Sequence, residues 1–277
     1  MAECRPARGA ASIALAIVFI SAPLATAHGQ PASRRDEAIR TRVLAWPVGD
    51  RLFVGVSADV RYVQGPSAKA VITGPNNEIE DIVVDRGVIR RARQGWDWQW
   101  WRLWQWRDWR LAPDVHIVVT APHVAEAGVS GSAHLDLGRL AQDRLRLWVS
   151  GSGAIDVSGQ VKTLDLSISG SGATRMNQLD VGDMSAGISG SGWIKASGAA
   201  RSLHLSISGS GMADLGGLIV QDAEAQLSGS GSARLSPKQS ADLSVSGSGS
   251  IRLLTEPPRL STHRAGSGSI FHPGGSS

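Results

Sequence analysis

Cysteine is almost missing from this 277-residue chain: its one thiol is Cys4. Residues 1–27 read as an export signal, so even that thiol is expected to be lost. Arg5 and Arg8 are a positive start, "AASIALAIVFI" is an apolar core too short to span a bilayer, and Ala25 and Ala27 supply an A-x-A cleavage site. A mature chain starting at His28 would have no disulfide, no thiolate metal ligand and no thiol nucleophile. Packing and backbone hydrogen bonds then carry all of its stability.

Other signatures are also lacking. There is no helix-turn-helix, zinc-finger or RNP motif, and a formal net charge of +4 is too mild to point to nucleic acid. No Ser-Gly-Ser-Gly copy is followed by the lysine that a phosphate-binding P-loop requires. The seven histidines form no H-x-x-x-H or H-E-x-x-H pair. Aspartate does not recur at the nine-residue period of a calcium-binding β-roll. Neither metal nor cofactor is expected.

What the chain has instead is repetition. "LDLSISGSG" (164–172) returns as "LHLSISGSG" (203–211) and "ADLSVSGSG" (241–249). The first serine of each copy falls at Ser130, Ser150, Ser169, Ser189, Ser208, Ser228 and Ser246, with a degenerate eighth copy from Ala265. The intervals are 20, 19, 20, 19, 20, 18 and 19 residues. A period this steady is the mark of a solenoid.

Around each copy the apolar residues alternate strictly: Leu145, Leu147 and Val149 before one motif, Ile155 and Val157 after it. Even spacing places them on one face of a strand. Continued through the motif, the same parity predicts Gly151 and Gly153 inward and Ser150 and Ser152 outward, with glycine relieving bulk at a bend. The expected fold is all-β: a right-handed, single-stranded parallel β-helix of about eight coils of 18–20 residues, with rungs about 4.8 Å apart.

At the position that falls three residues after the last glycine, the first seven copies are all charged: Asp136 in the degenerate first copy, then Asp156, Arg175, Lys195, Asp214, Arg234 and Arg252. A column of mixed sign reads as a solvated, ion-paired face. Asp136 and Asp156 alone could form a carboxylate pair of the glycosidase kind, which leaves a carbohydrate-active enzyme as an alternative.

The expected organisation is a signal peptide (1–27), a disordered lead-in (28–42), a β-rich N-terminal part that caps the solenoid (43–124), the Ser-Gly-Ser-Gly β-helix (125–272) and a disordered tail (273–277). Within the capping part lies "GWDWQWWRLWQWRDWR" (95–110), with seven of the ten tryptophans. Alternation predicts a hairpin turning near 101–103. Trp96, Trp98, Trp100, Trp101, Trp104, Trp106 and Trp109, with Arg102 and Arg107, are the candidate ligand-contact residues. Indole beside arginine suits a membrane surface, a glycan or an envelope component. Packing of the hairpin on the protein itself, or between copies in a homo-oligomer, fits the same residues.

These motifs together resemble the auto-transporter adhesin head GIN domain family over about residues 43–255. The resemblance rests on "FVGVSADVRYVQG", "DVHIVVTAPHVAEAGVSGSA" and the recurring L-x-L-S-I-S-G-S-G coils. It implies an exported β-helical protein of the periplasm or cell surface that binds an envelope or surface ligand and is not an enzyme. A purely structural, self-associating envelope protein is the other alternative. The Trp-rich stretch departs from the family pattern.

Overall fold

The computed structural model describes residues 39–47, 49–92 and 115–276. Its centre is a stack of six long strands: β9 (His134–Gly151), β10 (Ala154–Gly170), β11 (Ala173–Gly190), β12 (Trp193–Gly209), β13 (Met212–Gly229) and β14 (Ser232–Gly247). Each strand is one coil and pairs in parallel with the next. A further turn follows from β15 (Ser250–Leu253) and β16 (Arg259–Gly266), and then β17 (Ser269–His272). The protein is a parallel β-solenoid, as the repeat requires. Ser150, Ser169, Ser189, Ser208, Ser228 and Ser246 lie in one file, each in register with the next.

The interior is built from the alternating apolar residues. Leu147, Leu166, Ala186, Leu205, Ala225 and Leu243 stack along one inner column, each no more than 4% exposed. Burying a leucine in this way contributes about 1.5–3 kcal/mol, so the columns hold the coils together without any cross-link. On the opposite wall Thr174 takes a place that Ile155 and Ile194 hold in the adjoining coils. Its buried hydroxyl has no partner.

The two glycines of each motif do different work, which parity alone did not anticipate. The second one (Gly153, Gly172, Gly192) faces inward, and a Cβ there would strike a core valine or isoleucine and a backbone carbonyl. The first one does not face inward. Gly151, Gly170, Gly190, Gly209, Gly229, Gly247 and Gly266 have φ between +103° and +119°. A Cβ on any of them would sit 2.5–3.0 Å from the carbonyl oxygen of the matching glycine one coil earlier. Glycine is needed there for the dihedral and for the close stacking.

The alternation of 20- and 19-residue intervals also has a structural cause. Where β10 has Ser158 alone between paired residues, β9 has Gly138 and Arg139 and β11 has Asn177 and Gln178. The longer coils thus carry a one-residue bulge, with Arg139 and Gln178 in the left-handed region. A serine of the neighbouring shorter coil satisfies the bulged backbone. Arg139 N–H donates to Ser158 Oγ at 3.1 Å, and Ser236 Oγ donates to the Gly216 carbonyl at 2.8 Å.

The N-terminal part is mixed. β2 (Arg51–Val54) and β3 (Asp59–Gln64) form a coil that pairs in parallel with β8 (Glu126–Gly131) and β9. β6 (Val88–Arg91) and β7 (His116–Ala121) pair in parallel on the other side of β2 and β3. β4 (Lys69–Pro75), the single-turn α1 (Asn76–Ile79) and β5 (Ile82–Asp85) complete this end, with β4 antiparallel to β7 and β5 antiparallel to β6.

Pairing begins earlier than the expected lead-in allows. β1 (Ile39–Ala45) runs antiparallel to β4, and the Arg42 guanidinium donates to the carbonyls of Ile79 and Glu80 at the end of α1. In the expected tail, β18 (Gly275–Ser276) pairs back onto β17.

Candidate functional site

The Trp- and Arg-rich candidates (Trp96 to Trp109, with Arg102 and Arg107) fall outside the described residues, but the flanks of that stretch are described. β2 and β3 are joined by residues 55–58, a degenerate copy of the Ser-Gly-Ser-Gly corner. β6 and β7 occupy the equivalent places one rung further out, with Val54 opposite Ile89 and Asp59 opposite His116. Where β2 and β3 are joined by four residues, the sequence between β6 and β7 runs from Ala92 to Val115 and contains the Trp-rich stretch.

The charged column is where the register argument puts it, on the outer face, and it is ion-paired at its N-terminal end. Asp136 and Asp156 do stack as neighbours. Arg61 lies 3.6 Å from Asp136, while Asp156 is 3.5 Å from Arg175 and 3.4 Å from His134. An arginine thus stands beside each of the two carboxylates. Beyond Arg175 the column changes character. The Arg175 guanidinium stands 4.9 Å over the Trp193 ring, and Arg252 stands 5.4 Å over Phe271. Aligning the position directly after the last glycine could have revealed this, since Trp193 and Met212 are bulky where other coils carry alanine, serine or histidine.

A groove of about 820 Å³ runs along the face preceding the corner. One lip is the file Thr163, Asp183, Ser202, Asp222 and Ser240, and carboxylates of the next file, among them Glu224 and Asp242, form the other. Its charges are largely satisfied within the protein. Asp183 accepts from Arg201 and from Ser202 (2.6 Å), and these hydrogen bonds hold its carboxyl below the usual range while Arg201 is raised in turn. Ser240 donates to Asp222, and His204 lies 3.2 Å from Glu224. Among the described residues no three His, Cys, Asp or Glu side chains are grouped to hold a metal ion, and no helix is long and apolar enough to cross a membrane.

An aromatic pair was not foreseen. Phe53 and Trp148 stack with centroids 5.8 Å apart, although one rung separates them. The intervening residue is Gly128, whose Cβ would lie 2.8 Å from the Phe53 ring.

A parallel β-solenoid with long flat outer faces defines a class of surface-presenting scaffold rather than a particular chemistry. The chain belongs to the family described as "Putative auto-transporter adhesin, head GIN domain", which matches residues 50–177 and 160–257. It is similar to a solved "putative lipid binding protein" from Parabacteroides distasonis, at 20% identity over 86% of this chain and 97% of the other, with a TM-score of 0.74. It is also similar to a "putative adhesin" from the same species (22% identity, 86% and 98% covered, TM-score 0.71) and to one from Parabacteroides merdae (20%, 86% and 97%, 0.71). No curated protein sequence matches. At these identities the structural likeness shows the fold. The family and its solved neighbours are named as adhesins or lipid-binding proteins and not as enzymes.

Proposed function

We propose that this chain is an exported, non-enzymatic, adhesin-like binding protein that contacts an envelope component, glycan or membrane surface through its Trp/Arg-rich stretch. The observation that carries this reading is the composition of the segment that joins β6 to β7 in the N-terminal part of the solenoid: seven tryptophans within sixteen residues, interspersed with arginine. Indole with interspersed arginine suits the boundary between water and an apolar or sugar surface. The names of the family and of its solved neighbours support surface binding in general terms. The signal at residues 1–27 supports export to the periplasm or cell surface.

The test changes Trp98, Trp100, Trp104 and Trp106 to Ser together. The variant keeps the thermal unfolding of the wild type but loses co-sedimentation with liposomes or retention on immobilised glycans. Equal retention of both proteins removes the stretch from the contact. Fractionation of cells making a tagged copy places the protein; recovery in the cytoplasm at its full precursor mass contradicts export.

A further inference from the structure

The outer face that follows the corner holds a second feature, independent of the Trp-rich stretch. In the charged column four of five successive rungs are cationic: Arg175, Lys195, Arg234 and Arg252, with Asp214 between. All four cations are exposed. Among the described residues Lys195, Arg234 and Arg252 reach no carboxylate within ion-pair distance, in contrast to the N-terminal end of the column.

The adjacent column holds the two bulky residues. Trp193 and Met212 are in register on neighbouring rungs, and Met212 is 55% exposed. An outward methionine beside an indole adds nothing to the core, and the same column carries Ala173, Ser232 and Ser250 in nearby coils. Arg175 is fixed from two sides, by Asp156 at 3.5 Å and by stacking on Trp193 at 4.9 Å. It therefore offers its remaining donors from a set position.

We propose that this face is a binding site for an extended anionic polysaccharide lying along the solenoid axis, with its acid groups against Arg175, Lys195, Arg234 and Arg252 and a sugar ring against Trp193 and Met212. Three features select that ligand. The cations stand in single file, one rung apart except across Asp214, and the rung spacing of about 4.8 Å is comparable to one sugar residue; a file suits a linear polymer better than a sheet of headgroups. The sheet holds the spacing, so little ordering cost falls on the protein. Trp193 is a single half-buried indole and provides one stacking platform, enough for a sugar ring but not for the successive bases of a nucleic acid strand.

The probe is polygalacturonate, with neutral dextran, single-stranded DNA and anionic vesicles alongside. The wild-type chain binds polygalacturonate, and does so more weakly as salt rises. Lys195→Gln with Arg234→Gln lowers the affinity about tenfold, as expected when two charge contacts to a polyanion are lost. Trp193→Ala weakens binding at every salt concentration. Asp214→Asn, which removes the one opposing charge, tightens it and so keeps the test decisive should a loss variant misfold. The Trp-rich quadruple variant binds polygalacturonate as the wild type does, which separates this site from the proposed ligand contact.

The proposal is overturned if the wild type ignores polygalacturonate, if dextran binds equally, or if the Lys195/Arg234 and Asp214 variants match the wild type. It is also overturned if single-stranded DNA or vesicles bind in preference and are lost in the same variants.

Discussion

Gly190 rests directly on Gly170: a Cβ on the former would lie 2.7 Å from the carbonyl oxygen of the latter. Its φ of +119° independently excludes an ordinary side chain. Gly190→Ala must strain the backbone and push two coils apart, and a disfavoured dihedral alone costs about 1–3 kcal/mol. Chemical denaturation is expected to show a loss of about 3 kcal/mol or more for Gly190→Ala. Ser189→Ala next to it, an outward substitution, is expected to change stability by less than about 0.5 kcal/mol.

Thr174 is a local flaw in the core. Its hydroxyl is fully buried without a hydrogen bond, between Ile155 and Ile194 of the adjoining coils. Thr174→Val keeps the shape and removes the unpaired group. It should raise stability by about 1 kcal/mol, read as a higher denaturation midpoint at unchanged slope.

Ser236 tests the explanation of the uneven period. Its hydroxyl donates to the Gly216 carbonyl in the bulge of the preceding coil and is nearly out of solvent. Ser236→Ala leaves that carbonyl without its donor, at a cost of about 1–2 kcal/mol. Deleting Gly216 together with Ser236→Ala converts a 20-residue coil into a 19-residue one. That variant is expected to fold if the bulge is only a local insertion.

Tyr62, the only tyrosine, is 1% exposed and donates to the Ala121 carbonyl at 2.9 Å. Burial pushes its phenol from the ordinary 10.0 up to about 12. Below pH 10 the group is protonated in both folded and unfolded chains, and its stabilising contribution is complete. Between about 10 and 12 the unfolded chain ionises first, so stability falls as pH rises. Tyr62→Phe should flatten that part of the stability profile, and tyrosinate absorbance should develop near pH 12 in the native protein.

The coil itself was legible because a solenoid writes its geometry as a period. Once Ser150 and Ser169 mark equivalent corners, the inward Leu147 and Leu166 and the outward Asp156 and Arg175 follow from alternation. The first glycine of each corner was misread for a physical reason. Parity assumes extended backbone, and a positive φ at Gly151 breaks the count. The bulges at Arg139 and Gln178 showed only as an unexplained extra residue in every second interval.

Contacts that depend on position across rungs were harder to see. The Phe53–Trp148 stack joins residues far apart in sequence and depends on Gly128 between them being bare. β1 was hidden because Arg40 and Arg42 look like a solvated lead-in, whereas Arg42 reaches the carbonyls that end α1. The Trp193–Met212 patch came from a column read for its charges and not for the residues beside it.

The proposed role is tested most directly by titrating bacterial envelope fragments into the purified chain and following tryptophan fluorescence. A saturable isotherm is expected for the wild type, weakened at least about tenfold, or 1.4 kcal/mol, when Trp98, Trp100, Trp104 and Trp106 are serine and the unfolding midpoint is unchanged. Superimposable isotherms for the two proteins, or no saturable change with either, would contradict the account.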